Sequence, residues 1–346
     1  MRVFLTGGTG FIGQPLAAVL IARGWEVIAL VRNPNSSQAR ALNRMVAQCV
    51  QGDVTNRQSM REGMMGSDIV IHNAGWYEYG VSRDGKKLMH TVNVQGTENV
   101  LSLAQELSIP RAVYVSSTLA FGETGPKIRD ETFKRQAPFR SYYEQTKAEA
   151  NTIAKQHQQQ GFPLIIVCPN GVVGPNDHSP FGYFLRLYLN KLLPPFAWAP
   201  DMIVSLVHVD DLAEGIALAA VKGQPGETYI FAGDSITRRE MVALWATKPG
   251  ACKIRFWLPM GLTGLLFAPL EPLQRKVGLP AFISRETVLA SRSTNYSSEK
   301  AIRQLGWTHR SAEEMWIDII EQELKLLETR QKRDLVSRLK PVDVYG

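Results

Sequence analysis

The chain has 346 residues, of which 45% are hydrophobic and 21% charged, as in water-soluble globular proteins with a large core. Its net charge of +7 is spread along the sequence without an arginine-rich block, which argues against nucleic-acid binding. Cys49, Cys168 and Cys252 are far apart and odd in number. We therefore expect free thiols in a reducing, cytoplasmic compartment, with neither a disulfide framework nor a metal site.

A glycine-rich stretch, residues 6–13 (TGGTGFIG), follows a predicted buried strand over residues 2–5 and precedes a predicted helix. Such a turn sets the unpaired N–H groups of a helix N-terminus against a pyrophosphate. Gly7 permits the turn, Gly10 lets the backbone approach the phosphates, and Gly13 lets the helix pack closely on the strand. The stretch predicts a dinucleotide site.

The second predicted strand, Glu26 to Val31, ends at Arg32. In dinucleotide-binding folds the residue at this place meets the adenosine ribose. An acid there favours NAD, whereas a guanidinium suits the 2′-phosphate of NADP. Arg32, with Ser36 and Ser37 close by, therefore favours NADP(H) over NAD. The alternative is a solvated arginine at a strand end.

Strands and helices continue to alternate with short turns. The sequence predicts a helix over 38–47, a strand at 49–50, a strand over 68–72, a long helix over 88–107 and a strand over 111–115. This alternation is typical of a Rossmann-type, doubly wound parallel sheet of the α/β class, in which ligands bind beyond the carboxyl ends of the strands.

Polar and small residues follow several of these strands. Asp53 comes after the third strand and is expected to accept a hydrogen bond from adenine, the alternative being a turn or N-cap residue. The fourth strand ends in small residues, Asn73, Ala74 and Gly75, that let the backbone approach a ligand. Ser116 and Ser117 follow the fifth strand, which puts them on the functional edge of the sheet.

Tyr143 and Lys147 share one face of a helix predicted from Ser141 to about Gln159. A free phenol, with a pKa of about 10, is a poor acid–base group at neutral pH, and a nearby ammonium lowers that pKa. A serine hydroxyl within reach would hold the substrate oxygen. These parts suit hydride transfer at a carbonyl, with a nicotinamide as the hydride carrier. The alternative is an ordinary helix face with a solvated lysine.

The order of these motifs resembles that of the extended short-chain dehydrogenases/reductases, in the epimerase/dehydratase superfamily. The resemblance extends to about residue 325, through TGGTGFIG at 6–13, GDV at 52–54, NVQGT at 93–97, VSSTLAFG at 115–122, YEQTK at 143–147, PNGVVGP at 169–175, HVDDLAEGI at 208–216, GETYIFAG at 226–233 and LGW at 305–307.

This resemblance implies that Ser117, Tyr143 and Lys147 form a catalytic triad with Tyr143 as the acid–base, and that Asn93 supports it structurally. Thr118 is a weaker candidate than Ser117. The predicted cofactor site comprises Thr6, Gly7, Gly10, Phe11, Ile12, Gly13, Arg32, Asp53, Val54, Asn73, Ala74, Gly75, Ser116, Tyr143, Lys147, Pro169, Asn170, Gly171 and Val172.

Three local features separate the branches of this superfamily. Thr118-Leu119 stands where sugar-nucleotide dehydratases carry an Asp-Glu pair, and Arg32 replaces the acid of the sugar-nucleotide epimerases. Residues 30–34 (LVRNP) look like the dihydroflavonol-reductase and 3β-hydroxysteroid-dehydrogenase branch. We therefore predict an NADP(H)-dependent oxidoreductase that reduces a ketone or aldehyde, or oxidises a secondary alcohol. The alternatives are an NAD-dependent sugar-nucleotide epimerase and a non-catalytic dinucleotide-binding scaffold or redox sensor.

The predicted domain plan is a dinucleotide-binding domain over 1–176 with 203–233 returning to it, a smaller substrate lobe from 177–202 and 234–330, and a basic tail over 331–346. The lobe segments are rich in aromatic residues and poor in charges, so we expect an apolar small-molecule substrate. The alternative is that these aromatic side chains only form the core of the lobe.

The most apolar window, 256–270, is too short to span a bilayer and is interrupted by Pro and Gly. Contact of this window with a membrane surface is a weaker alternative. His208 and the pair Asp210-Asp211 are predicted to be structural, with one of the aspartates capping a helix over 212–221. A monomer or homodimer is expected.

Overall fold

The computed structural model describes residues 1–45, 47–192, 195–247, 254–270 and 284–330. Its strands are β1 (Arg2–Thr6), β2 (Glu26–Val31), β3 (Gln48–Gln51), β4 (Ile69–His72), β5 (Ala112–Val115), β6 (Leu164–Pro169), β7 (Val172–Val173), β8 (Phe196–Trp198), β9 (Ile203–Val204), β10 (Val207–His208), β11 (Thr228–Phe231), β12 (Ile236–Thr237) and β13 (Phe256–Leu258).

The helices alternate with these strands. They are α1 (Gly13–Ala22), α2 (Ser37–Arg44), α3 (Arg57–Met64), α4 (Arg83–His90), α5 (Gly96–Glu106), α6 (Tyr142–Gln159), α7 (Pro180–Leu189), α8 (Val209–Lys222), α9 (Arg238–Trp245), α10 (Met260–Phe267), α11 (Arg285–Leu289), α12 (Glu299–Leu305) and α13 (Ala312–Arg330). A π-helical turn, Thr91–Gln95, joins α4 to α5, so the single long helix predicted over 88–107 is two α-helices and the turn between them.

Seven strands form one parallel sheet in the order β11-β6-β5-β4-β1-β2-β3. Alternate residues of each strand enter opposite apolar layers, as the pleat requires. Val3 and Leu5 pack in one core layer, and Phe4 packs in the layer on the other face. The arrangement confirms the predicted doubly wound α/β fold.

The segments predicted to form the substrate lobe build a third apolar cluster, to which Tyr188 of α7, Trp245 of α9 and Trp316 of α13 contribute. Two short strand pairs, β8–β13 and β9–β12, accompany it, while β11 joins the main sheet beside β6. The domain boundaries themselves stay a prediction. The predicted basic tail and Cys252 lie outside the described residues.

The cap of α8 differs from the prediction. The helix begins at Val209, and His208 is its N-cap, with Nδ1 accepting a hydrogen bond from the backbone N–H of Asp210 at 3.2 Å. Asp210 and Asp211 lie in the first turn of α8, where their negative charges interact favourably with the positive end of the helix dipole. The predicted aspartate cap is therefore wrong, because the imidazole already occupies that place.

The apolar window is divided between β13 and α10. Phe256 and Leu265 are exposed over 62% and 72% of their surfaces. Within the described ranges, the helices are all too short or too polar to cross a bilayer.

Candidate active site

The glycine turn is built on close backbone contacts. Gly7 has a φ of +72°, and a Cβ on it would lie 2.7 Å from the backbone nitrogen of Ala74. A Cβ on Gly13 would lie 1.9 Å from the carbonyl oxygen of Gly7. A Cβ on Gly10 would meet only that same oxygen, at 3.3 Å. Gly7 and Gly13 are thus required for packing, whereas Gly10 leaves open space on the ligand side.

A cavity of about 810 Å³ lies along the carboxyl ends of the central strands. Its lining includes the predicted cofactor residues Gly7, Gly10, Phe11, Ile12, Arg32, Asp53, Val54, Asn73, Ala74, Gly75, Ser116, Tyr143, Lys147, Pro169, Asn170, Gly171 and Val172. Thr6 and Gly13 are packed behind this wall, and the Thr6 hydroxyl oxygen accepts a hydrogen bond from the Ala74 N–H at 3.2 Å.

The phosphate end of the cavity fits a dinucleotide. Helix α1 starts without a side-chain cap and without an acidic residue in its first turn. The Gln14 N–H already donates to the Gly10 carbonyl oxygen at 3.2 Å, and Pro15 has no N–H. The groups open to an anion are therefore the N–H groups of Ile12 and Gly13, which donate to no described residue. Arg32 is exposed and forms no ion pair with any described residue. Asp53 lines the same cavity, and its Oδ1 accepts from the Thr55 N–H at 2.8 Å, which makes it a turn residue as well.

Three neighbouring hydroxyl groups follow β5, and their hydrogen bonds distinguish them. Ser116 Oγ donates to Asn151 Oδ1 at 3.0 Å, and Thr118 Oγ1, fully buried, donates to Asn170 Oδ1 at 2.9 Å. Ser117 Oγ accepts from the Leu119 N–H at 3.2 Å and donates to no described residue. Ser117 lines the cavity with its proton free, which favours it over Thr118 as the predicted substrate contact.

The side-chain amide of Asn170, a residue of the cavity lining, is hydrogen-bonded within the protein. Its Nδ2 donates to the carbonyl oxygen of Thr294 at 2.7 Å and to Ser205 Oγ at 2.9 Å. With Oδ1 also occupied, the side chain ties β6 to two later segments of the chain.

Tyr143 and Lys147 both lie on α6, whose N-terminus is capped by Ser141 through the Glu144 N–H. Lys147 Nζ donates to the Val115 carbonyl oxygen at 3.1 Å and to Tyr114 Oη at 3.3 Å. Burial lowers the pKa of Lys147.

Burial also raises the pKa of Tyr143, and the opposing effect of Lys147 is smaller. The expectation that the ammonium brings the phenol below its ordinary pKa is therefore wrong for the protein chain alone, because desolvation of the phenolate outweighs its attraction to the lysine.

Sequence reasoning missed the aromatic neighbours of Tyr143. The ring of Tyr77 meets that of Tyr143 edge-on with centroids 4.7 Å apart, and Tyr79 meets Tyr77 at 5.4 Å. Burial raises the pKa of Tyr79 to about 12, so both of these neighbours stay protonated near neutral pH. The sequence did indicate this loop as a neighbour of the site, because it leaves β4 at the carboxyl edge of the sheet directly after Gly75.

Asn93, predicted as a supporting residue, anchors that loop. Its Oδ1 accepts from the Trp76 N–H at 2.7 Å, and its Nδ2 donates to the Trp76 carbonyl oxygen and to Thr146 Oγ1, both at 3.0 Å. The amide therefore joins the loop to α6 from a buried position and acts on Tyr143 only through its surroundings.

The far wall of the cavity is largely aromatic and aliphatic. Phe184, Trp198 and Trp245 line it and also pack in the apolar clusters of the lobe. The sequence left open whether the aromatic side chains form the core of the lobe or a wall of the substrate site. In the structure the same side chains pack in the core and line the cavity.

Residues 3–232 match the family described as NAD dependent epimerase/dehydratase. The chain belongs to this family. The match confirms the resemblance drawn from the motifs, and family members depend on a nicotinamide dinucleotide.

Relatives within the epimerase/dehydratase family carry oxidoreductase names. The 4-hydroxy-2-methyl-3-oxo-4-farnesyl-3,4-dihydroquinoline-1-oxide ketoreductase of Stigmatella aurantiaca is 30% identical, over 93% of this chain and 96% of its own length. A Synechocystis protein provisionally named dihydroflavonol 4-reductase is 30% identical, over 92% and 93%. Other relatives are named 3β-hydroxysteroid dehydrogenases, which confirms the predicted branch.

A solved structure supports the fold. The dTDP-glucose 4,6-dehydratase of Streptomyces venezuelae, determined with NAD bound, aligns with a TM-score of 0.75 and 23% identity, over 96% of this chain and 98% of its own. At 23% identity, this similarity shows that the two proteins share the α/β architecture and nothing further.

We predict that Gly10→Ala weakens NADPH binding by about tenfold or more, because the added methyl group enters the space beside α1, and a loss of 1.4 kcal/mol is a tenfold change in affinity. The melting temperature of the cofactor-free protein should be unchanged, since that methyl group meets only one backbone oxygen. Fluorescence titration and thermal unfolding measure the two effects. Gly13→Ala is the matched control: its Cβ would clash with Gly7, so it should lower the melting temperature. Wild-type NADPH affinity in Gly10→Ala would contradict this placement of the phosphates.

Proposed function

We propose that this protein is an NADP(H)-dependent oxidoreductase that reduces a ketone or aldehyde, or oxidises a secondary alcohol, of an apolar small molecule. The observation that carries the proposal is one cavity whose lining combines the glycine turn, Arg32, the set Ser117, Tyr143 and Lys147, and an aromatic wall. A dinucleotide site alone has no need of the last two groups.

The cofactor half of the cavity supports the choice of NADP(H). The N–H groups of Ile12 and Gly13 at the start of α1 would hold the pyrophosphate, and Arg32 would pair with a 2′-phosphate. When bound, the nicotinamide supplies or accepts the hydride. An acid at position 32 would have favoured the two ribose hydroxyls instead.

The roles of the protein side chains follow from their protonation. Ser117 Oγ has a proton free to donate to the substrate oxygen, and the neutral Tyr143 phenol can give its proton to that oxygen during reduction. Lys147 is fixed by two hydrogen bonds close behind β5. Its charge stabilises the phenolate left after proton transfer.

The apolar wall supports the substrate class. The aromatic side chains exclude water from the reacting groups, and a low local dielectric strengthens the interactions of Tyr143 and Lys147. The Stigmatella relative is named for a farnesyl-bearing quinoline oxide, a largely apolar compound. An apolar carbonyl or hydroxyl compound suits this wall better than a nucleotide sugar.

We predict that Arg32→Asp reverses or abolishes the preference for NADPH over NADH. Loss of a hydrogen bond to a charged group costs about 1.5–3 kcal/mol, or roughly 10–150-fold in NADPH affinity, while the carboxylate gains contacts to ribose hydroxyls. Dissociation constants for both cofactors are measured by fluorescence titration. Arg83→Asp, an equal charge change at an exposed site away from the cavity, should leave both constants unchanged. Equal affinities of the wild type for NADPH and NADH would contradict the assignment of NADP(H) as the cofactor.

We predict that Tyr143→Phe lowers turnover by about 10²–10⁴-fold, the range for removal of a general acid, while NADPH affinity stays within about twofold. The assay follows NADPH loss with a panel of apolar ketones and aldehydes. Tyr142→Phe removes the hydroxyl of the adjacent tyrosine, which does not line the cavity, and should keep wild-type turnover. Full turnover in Tyr143→Phe would remove this residue from its role. Epimerisation of a sugar nucleotide without net NADPH loss would favour the epimerase instead.

The raised pKa of Tyr143 predicts opposite pH profiles for the two directions. Reduction needs the protonated phenol, so kcat/KM should be flat through neutral pH and then fall by about tenfold per pH unit above the phenol pKa. Oxidation needs the phenolate and should rise with pH over the same range. Reduction that accelerates with rising pH would show that another group donates the proton.

A further inference from the structure

Arg238, the first residue of α9, is a cation in the wall of the cavity. Its Nη1 donates to the Trp198 carbonyl oxygen at 3.0 Å, and its Nη2 donates to Ser291 Oγ at 3.2 Å and to Met202 Sδ at 3.4 Å. The guanidinium also lies over the Trp198 ring, 4.8 Å from the centroid. A guanidinium has five N–H groups, so these contacts leave two without a partner among the described residues.

No carboxylate in the described part of the chain forms an ion pair with Arg238. Burial lowers its pKa to about 10, and no nearby acid offsets that effect. Its position in the first turn adds to the cost, because the N-terminus of α9 carries partial positive charge. A half-buried cation with no acidic partner among the described residues is less favourable than a fully solvated one.

A purely structural role does not explain this arrangement. Hydrogen bonds to a carbonyl, a hydroxyl and a thioether could be made by a neutral side chain without burying a charge. The other arginine in this part of the wall, Arg292, does have an acidic partner, with Nε 3.6 Å from Glu123 Oε2. Beside the aromatic wall, Arg238 thus differs from Arg292 in having no acidic partner among the described residues.

We infer that Arg238 binds an anionic oxygen of the substrate, and specifically a carboxylate. The substrate would then be an apolar molecule that carries a carboxylate for Arg238 in addition to the carbonyl or hydroxyl group that Tyr143 acts on. The second statement rests on the proposed function, whereas the first concerns binding alone. Guanidinium N–H groups that have no partner among the described residues match a carboxylate, and the stacked Trp198 ring fixes the direction in which they point.

The test compares carboxylic acids with their methyl esters, which remove the charge and keep the apolar body. Dodecanoic acid, 2-naphthylacetic acid and 5β-cholanic acid, each with its methyl ester, are titrated calorimetrically into the full chain without added cofactor. For the pair that fits the cavity best, the acid should bind the wild type about tenfold more tightly than the ester, as expected for a hydrogen bond to a charged group.

Arg238→Gln should reduce that preference to about twofold or less, and Arg238→Lys should keep part of it, because the charge remains on a single-point donor. Arg239→Gln is the matched control: this neighbour is exposed, stacks on Trp257 with its guanidinium 5.0 Å from the ring centroid, and lies outside the cavity lining, so the preference should persist. Thermal unfolding checks that each variant is folded.

An acid preference in none of the three wild-type pairs overturns the inference, as does a preference that Arg238→Gln retains. If Arg238→Gln does not fold, the wild-type ratio and the Arg238→Lys variant still decide. The outcome is separate from the proposed reaction: an active Tyr143→Phe would refute the reaction and leave the acid preference standing, and a missing acid preference beside an inactive Tyr143→Phe would refute only the role of Arg238.

Discussion

The close approach of three backbone segments at the glycine turn is the constraint on which the site depends. The turn at Gly7, the start of α1 at Gly13 and the segment after β4 at Ala74 are packed so tightly that one added carbon atom at either glycine would overlap main-chain atoms. The same segment after β4 leads into the loop that carries Tyr77 to the ring of Tyr143. The glycine turn and the surroundings of Tyr143 are therefore held by one continuous piece of backbone.

A network of buried hydrogen bonds holds the segment after β4 in place. Thr97 Oγ1 donates to the Asn93 carbonyl oxygen at 2.7 Å, so it accepts from His72 Nε2, and His72 Nδ1 in turn accepts from Thr6 Oγ1 at 2.8 Å. Burial, with the charge of Lys147, lowers the pKa of His72 to about 3, which keeps the imidazole neutral and this chain of donors in one direction. The NVQGT motif thus supports the site without touching the cavity: its Thr97 orients His72, and its Asn93 holds the loop at Trp76.

Local patterns predict those parts of the molecule that local chemistry determines. Glu26–Val31 is the strand that its apolar run predicts, and Gly7 and Gly13 have the turn and packing roles that their spacing suggests. The cap of α8 and the environment of Tyr143 could not be read in this way. His208 caps α8 because its ring nitrogen lies within hydrogen-bond distance of the Asp210 N–H. The pKa of the Tyr143 phenol depends on burial by residues that are distant in sequence. In the sequence Arg238 looks like an ordinary first-turn residue, and only the fold places it in the wall of the cavity.

Burial disfavours the charged forms of both Tyr143 and Lys147, and this determines the protonation state of Tyr143 in the protein without ligands. It raises the pKa of Tyr143 and lowers that of Lys147, so it opposes the phenolate and the ammonium alike. The phenol consequently keeps its proton, which is the form that reduction requires. At Arg238 the same desolvation leaves a cation that no described acid neutralises. One low-dielectric cavity therefore holds a protonated phenol at Tyr143 and a cation without a described acidic partner at Arg238. A substrate that uses both groups would take the proton from Tyr143 and offset the free-energy cost of desolvating the Arg238 charge.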